Sequence, residues 1–259
     1  MKNFSTIVII FNGCIFRMNL LNFGKTQTFT VMRKLVVLTG AGISAESGIR
    51  TFRDMGGLWE EYDILEVASP QGWAKNSEMV QKFYNERRKQ LLDCKPNKAH
   101  SGLVELERYF DVQIITQNID DLHERAGSKN ILHLHGELRK SQSTRYPELI
   151  YEIDGWEIRE DDRCQKGFPL RPFVVWFGEP VPLMERAVEI TAQSDVFVVI
   201  GTSLNVYPAA SLLDYIPKNV PIYLIDPNEV SYFGRAGVDV IKENASAGVQ
   251  ILFERLTGR

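Results

Sequence analysis

The apolar run Lys34-Leu-Val-Val-Leu-Thr39 passes without a spacer into "GAGISAESGIRTFRD", residues 40–54. A short β-branched run that ends on glycines reads as a buried strand whose carboxyl end turns sharply into a helix. Gly40-x-Gly42-x-x-Ala45 fits the relaxed dinucleotide fingerprint: Gly40 permits the tight turn, Gly42 lets backbone approach a diphosphate, and the NH groups that follow face anionic oxygen. The helical stretch stops early, at Gly48. Glu60 and Glu61 stand at the distance where such a loop usually finds its ribose acid, but they lie in "GGLWEEYD", a loop and not a strand end. Asp226, which closes the later run "PIYLID", is the better ribose acid. The intervening "IRTFRDMGGLW" reads as a lid over a cofactor mouth, with Arg53 available to a phosphate and Phe52 and Trp59 as its aromatic contacts.

Three further runs, "VQIIT" (112–116), "DVFVVIG" (195–201) and "PIYLID" (221–226), have the same continuous apolar character. Helical periodicity lies between and after them, over 77–93, 97–110, 182–194 and 245–256. The expected class is therefore α/β: a Rossmann-like, doubly wound parallel sheet. Residues 136–175 break that rhythm with "ELIYEID", "WEIRE" and "PFVVWF" and are expected to form a small β-rich inserted domain. Residues 1–31 are too short and too interrupted in their apolar part to span a bilayer; a secretory signal ending near Cys14 is the alternative to the expected extension outside the fold, which leaves one domain over 32–259.

A net charge of −3 with no dense Lys/Arg block argues against a nucleic-acid partner. The three cysteines are odd in number, far apart and free of any Cys-x-x-Cys, which suits a reducing, cytoplasmic compartment; with no apolar run long enough to span a bilayer, no membrane partner is expected.

A second constellation is "ITQNIDDLHERAG" followed by "LHLHGEL". Gln117, Asn118 and Asp120 leave the carboxyl end of the "VQIIT" strand, where open α/β sheets bind ligands, and offer groups suited to a ribose or a carboxamide. His135 is the best candidate general base, because its charge can change near neutral pH. His123 and His133 read as structural. On the helix over 77–93, Tyr84 and Arg87 stand three apart and share one face with Val80 and Leu91. A phenol and a guanidinium there suit a carboxylate partner; a core tyrosine beside a solvated arginine is the alternative.

Taken together, "GAGISAESGIRTFRD", "TQNIDDLHERAG", "HLHGEL", "VVWFGE" and "GTS" resemble the signature set of the sirtuins, NAD-dependent protein lysine deacylases, over Arg33 to about Leu256. The resemblance implies that residues from Gly40, Ala41, Gly42, Ile43, Ser44 and Ala45 to Phe52 and Arg53 hold the diphosphate and cover the nicotinamide ribose, under the loop carrying Trp59. It implies that Gln117, Asn118, Ile119 and Asp120 bind that ribose and the carboxamide, Asn118 and Asp120 also serving catalysis, and that His135 is the base. Gly201, Thr202 and Ser203 would bind phosphate and ribose, and Asp226, Pro227, Asn228 and Ala245 would frame the adenosine. Acyl-lysine proteins or peptides would add as a strand along "VVWFGE", touching Val175, Phe177, Gly178 and Glu179. NAD would be consumed, with nicotinamide and O-acyl-ADP-ribose released. A loop that stops early suits a site that must enclose nicotinamide and then release it.

The Tyr-x-x-Arg spacing of Tyr84 and Arg87 resembles the subclass that removes succinyl and malonyl groups. Where the family usually carries zinc cysteines, this chain has Ser143 and only Cys164, so no zinc is expected. Tyr146, Leu149, Ile150, Tyr151, Trp156, Ile158 and Phe168 would then hold the small domain by packing. An NAD glycohydrolase or ADP-ribosyltransferase on the same scaffold, or a non-catalytic NAD or ADP-ribose-binding module, would be expected to lose "VVWFGE", His135 or Asn118. All are present; an oxidoreductase fits least.

Overall fold

The computed structural model describes residues 6–11, 14–19, 32–49, 63–230 and 237–259. The expected lid residues Phe52, Arg53 and Trp59 lie outside them.

Strands β1 (Thr6–Phe11) and β2 (Cys14–Asn19) pair antiparallel with each other and join neither of the other sheets. The main sheet has six parallel strands: β3 (Lys34–Thr39), β4 (Asp111–Thr116), β5 (Ile131–His133), β9 (Val196–Ile200), β10 (Ile222–Ile225) and β11 (Val238–Ile241), in the order β11-β10-β9-β3-β4-β5. The side chains explain why it is covered on both faces. Leu35, Val37, Val112, Ile114, Val196 and Val198 point to one side, against Leu103 and Leu106 of α5 (Lys98–Leu106) and Val249 and Leu252 of α8 (Ala245–Thr257). Val36, Leu38, Ile115, Phe197 and Val199 point to the other, against Ala187 of α7 (Met184–Thr191) and Leu212 and Leu213 of the 3₁₀ helix Ala209–Tyr215. This alternation, apolar on both parities, is what the continuous apolar runs encode.

The chain runs from β3 to β4 on one side and later returns to β9 on the other, so the topological switch lies between β3 and β9. Their ends are locked by the Gly40 N–H on the Ile200 carbonyl (3.0 Å) and the Gly42 N–H on the Gly201 carbonyl (2.9 Å). Backbone crosses backbone here. A Cβ on Gly42 would stand 2.6 Å from the Gly201 Cα, and Gly201 itself adopts φ +61°. Gly42 is therefore required first by the crossing of two loops. Helix α1 (Gly42–Ala45) is short, and the turn after it reaches φ +87° at Gly48.

Among the described residues, α2 (Ile64–Val67), α3 (Pro70–Lys75) and α4 (Ser77–Asp93) precede α5 between α1 and β4. Ser69 accepts the Gly72 N–H and Pro70 starts α3, while Asn76 accepts the Met79 N–H at the start of α4. Helix α6 (Leu122–Ala126) follows β4 and ends at Gly127, φ +104°.

The inserted region forms a three-stranded antiparallel sheet with β6 (Gly136–Ser143) between β7 (Ile150–Glu152) and β8 (Leu170–Val174). "WEIRE" is not a strand. The Ile158 backbone is paired instead with a side chain: the Asn85 amide donates to the Ile158 carbonyl and accepts its N–H, both at 3.0 Å. Arg88, fully buried, donates to the carbonyls of Leu138 (2.6 Å) and Trp156 (2.7 Å) and to Asn85 Oδ1 (2.7 Å). Two residues of α4 thus stand in for a sheet neighbour. Among the described residues no helix is long and apolar enough to cross a membrane.

Candidate active site

One cavity of about 1070 Å³ opens at the carboxyl ends of β3, β4, β9 and β10 and runs past the small sheet to α4. From β3 and α1 it is lined by Gly40, Ala41, Gly42, Ser44 and Ala45; from the end of β4 by Gln117, Asn118, Ile119 and Asp120; and from β9 by Gly201, Thr202 and Ser203. Asp226, Pro227, Asn228 and Ala245 close one end. Tyr84 and Arg87 line the other, with Val175, Phe177, Gly178 and Glu179 between, and His135 also faces it. Ile43 is the exception among the described candidates: its side chain is fully buried in the core below the loop, so it supports the turn and does not line the cavity.

Asn118 is held from three of its polar atoms. Its N–H donates to Thr116 Oγ1 at 3.0 Å, and its amide donates to the Gly40 carbonyl at 3.1 Å and Ser44 Oγ at 3.3 Å; its own carbonyl meets His133 Nδ1 at 3.1 Å. Asp120 accepts Ser44 Oγ–H at 2.9 Å and the Leu122 N–H at 3.1 Å. Burial pushes its carboxyl above the usual range, against the pull of those two donors. The Gln117 amide donates to Thr202 Oγ1 at 3.0 Å, tying the β4 and β9 ends together. Asp226 is buried and accepts the Asn228 N–H at 2.9 Å, which orients a carboxylate at the end of β10.

His135 Nδ1 lies 3.0 Å from the Gln117 carbonyl, an acceptor, so the proton sits on Nδ1 and Nε2 keeps its lone pair. Burial lowers its basicity, with the carbonyl working against that shift. The ring is therefore neutral at physiological pH and able to accept a proton.

At the far end, Trp176 Nε1–H donates to the Tyr84 hydroxyl at 3.1 Å, so the phenol has accepted once and its own proton is free to be donated. Burial holds the phenol far above its usual range and therefore neutral. The Arg87 guanidinium sits over the Phe83 ring, 4.3 Å from its centre. Arg171 pairs bidentate with Glu179 (2.7 and 3.1 Å) and lies over the Trp176 ring at 3.4 Å, and Glu179 also accepts the Trp176 N–H at 2.8 Å. The Glu179 carboxylate is thus bonded to Arg171 and to the Trp176 backbone while the residue lines the cavity. Trp176 and Arg171 escaped the sequence reading. The only signal for Trp176 was its place inside "VVWFGE".

In the small sheet, Ser143 Oγ accepts the N–H groups of Arg145 (3.3 Å) and Tyr146 (3.2 Å), and the Cys164 N–H donates to the Phe168 carbonyl at 2.8 Å. A hydroxyl and one thiol do not form a tetrahedral zinc set, and among the described residues no three His, Cys, Asp or Glu side chains gather to hold a metal. Tyr146 and Phe168 meet edge to face at 5.5 Å, the Lys166 ammonium caps the Tyr146 ring at 3.7 Å, and Ile158 is buried. Ile150, expected in that packing, is exposed.

Comparison with known proteins gives this geometry its context. The family model for the Sir2 family matches residues 40–208. An NAD-dependent protein deacylase of Bacteroides thetaiotaomicron is 53% identical over 230 residues, covering 87% of this chain and 98% of the relative. The solved structure of a Sir2 homologue in complex with NAD is 41% identical with a TM-score of 0.80, covering 88% of this chain and 90% of that one. A Sir2 protein bound to an acetylated peptide is 28% identical with a TM-score of 0.73, covering 86% and 93%. The match spans the glycine crossing at β3 and β9, the Asn118 and His135 cluster and the loop after β8, and on that ground the chain belongs to the Sir2 family, the sirtuins.

Proposed function

We propose that this protein is an NAD-dependent protein lysine deacylase that prefers succinyl or malonyl lysine to acetyl lysine. The observation that carries the reading is that one cavity joins a strand-end cradle of NH groups, a neutral histidine with a free Nε2, and a phenol beside a guanidinium. Similarity to the Bacteroides deacylase and to the NAD-bound Sir2 homologue supports the same reaction.

NAD, once bound, supplies an anomeric carbon that can be transferred from nicotinamide to the acyl oxygen. The residues of this chain have the remaining tasks. The N–H groups after Gly42 and the Thr202 and Ser203 region would receive the diphosphate and ribose, and Asp226 the adenosine ribose. Asn118, Asp120 and Ile119 would hold the nicotinamide side, and His135 Nε2 would accept the proton of a ribose hydroxyl. The loop Val175 to Glu179 would take the substrate peptide as an added strand, in keeping with the Sir2 protein bound to an acetylated peptide. Phe52, Arg53 and Trp59, outside the described residues, would contribute to cofactor binding on the side of the nicotinamide ribose.

A carboxylate at the tip of the acyl chain would meet the Tyr84 hydroxyl and the Arg87 guanidinium, which supports the acidic acyl preference. A zinc-free small domain is part of the proposal, supported by Ser143, a hydroxyl engaged with the backbone N–H groups of Arg145 and Tyr146, where a thiolate would be needed. So are a cytoplasmic location, supported by the buried free thiols of Cys94 and Cys164, and a deacylase unit over 32–259. Deleting residues 1–31 should leave activity standing; its loss would place that segment in the working unit. The acyl preference is tested by incubating the protein with NAD and matched acetyl-, succinyl- and malonyl-lysine peptides. Faster removal of an acidic acyl group is the expected result, and faster removal of acetyl would overturn the preference.

A further inference from the structure

Of the four histidines of the chain, burial lowers the basicity of His100, His123 and His135, while the fourth, His133, stands between two hydrogen-bond acceptors that the site described above leaves unassigned. His133 ends β5 and is buried. Its Nδ1 lies 3.1 Å from the Asn118 carbonyl and its Nε2 lies 2.7 Å from Glu124 Oε1. A carbonyl only accepts, and so does a carboxylate. Each contact needs an N–H, and an imidazole with both is the cation. We propose that His133 and Glu124 form a fixed imidazolium–carboxylate pair that positions Asn118 for the reaction in the cavity.

The surroundings agree with this charge state. Although burial opposes the charge, the Glu124 carboxylate, the Asn118 carbonyl and Glu137 on β6 together raise the basicity of the ring. Glu124 is correspondingly held below its usual range by His133, despite its own burial. The other titratable neighbours are Asp120, whose ionised form His133 favours, and His123 on α6, whose charging it opposes. Lys140 restrains Glu137 at 2.9 Å. The cation also has a geometric consequence. The Asn118 N–H and side-chain N–H groups are fixed by Thr116, Gly40 and Ser44, and the His133 contact fixes its carbonyl, so the residue cannot rotate without breaking a charge-assisted bond.

Loss of one proton from His133 would leave the remaining N–H on the carboxylate side and set the bare Nδ1 against the Asn118 carbonyl, two lone pairs facing each other. Because the folded-state basicity is raised, the pair's contribution to stability is complete below the ordinary histidine pKa of about 6.5 and is lost as pH rises through the folded value. Activity should fall with it. The inference rests on the reading of Asn118 as a cofactor-side residue.

Nitrogen-15 NMR of the histidine-labelled full chain at about pH 6, below the ordinary histidine pKa, with His133 assigned from the spectrum of His133→Gln, should show both ring nitrogens protonated; a neutral ring would overturn the charge assignment. In kinetics, Glu124→Ala should slow nicotinamide release about tenfold while the KM for the acyl peptide stays within about twofold. Glu124→Gln lets a neutral ring keep its Nδ1–H on Asn118 while Nε2 accepts from the new amide. It should restore most of the rate and abolish the alkaline fall. Equal losses in both variants, tracking loss of folding stability, would overturn the positioning role. Asn118→Ala with undiminished nicotinamide release would remove the reading on which the role rests, while leaving the NMR result intact.

Discussion

The hydrogen bonds of individual residues decide what each can do in this cavity. His135 gives its Nδ1–H to Gln117 and keeps Nε2 basic, so His135→Ala should still bind NAD, as measured by calorimetry, but lose deacylation by about a hundredfold or more. Normal turnover would remove the ring from the mechanism. Burial lowers the His135 basicity, so the ring stays neutral somewhat below pH 6.5, and the acid limb of kcat/KM should lie under that value. An acid limb above it would contradict the assignment. At the other end, Arg87→Met keeps much of the apolar stem and removes the charged group that lies over Phe83. A charge-assisted bond to a carboxylate is worth roughly 1.5 to 3 kcal/mol, so succinyl-lysine activity should fall about tenfold to a hundredfold while acetyl-lysine activity survives. Equal losses on both substrates would make Arg87 a residue of the fold and not of specificity.

At the scale of elements, two buried histidines set an acid limit on the packing of α5 against α6. His100 and His123 meet edge to face at 4.9 Å; His123 Nε2 bonds Thr39 Oγ1 at 3.2 Å, and His100 Nδ1 accepts the Asn97 N–H at 3.3 Å. Burial lowers the pKa of His100 to about 4, and burial with the neighbouring rings lowers that of His123. A histidine kept neutral stabilises the fold fully above pH 6.5, and that stability is lost as pH falls toward the folded value. For His100 alone the loss is about 2 kcal/mol by pH 5, to be read from urea midpoints at pH 7.5 and pH 5. The same drop in His100→Gln would contradict this. Strands β3, β4, β9 and β10 were legible because burial on both faces writes a continuous apolar run. The short edge strands β5 and β11 write no such run, and the sequence reading missed them. "WEIRE" misled for a different reason: its backbone partner is Asn85, whose side chain comes from a helix distant in sequence.

For the molecule as a whole, the motifs around Gly40, Asn118, His135 and Gly201 were readable because backbone geometry at strand ends restricts the residues allowed there. The Trp176 to Tyr84 bond and the His133 to Glu124 pair were not, since each joins elements whose meeting depends on the completed fold. The small sheet supplies a further whole-protein prediction: metal analysis of the purified chain should find no stoichiometric zinc, and chelator should leave it folded. One tightly held zinc per chain would refute that. The central claim is that acyl removal and NAD cleavage are one reaction in one cavity. The most direct measurement is a mass-resolved product balance with NAD and a succinyl-lysine peptide. The account predicts nicotinamide, deacylated peptide and acyl-ADP-ribose in equal amounts; nicotinamide released with the peptide unchanged, or peptide deacylated without NAD, would contradict it.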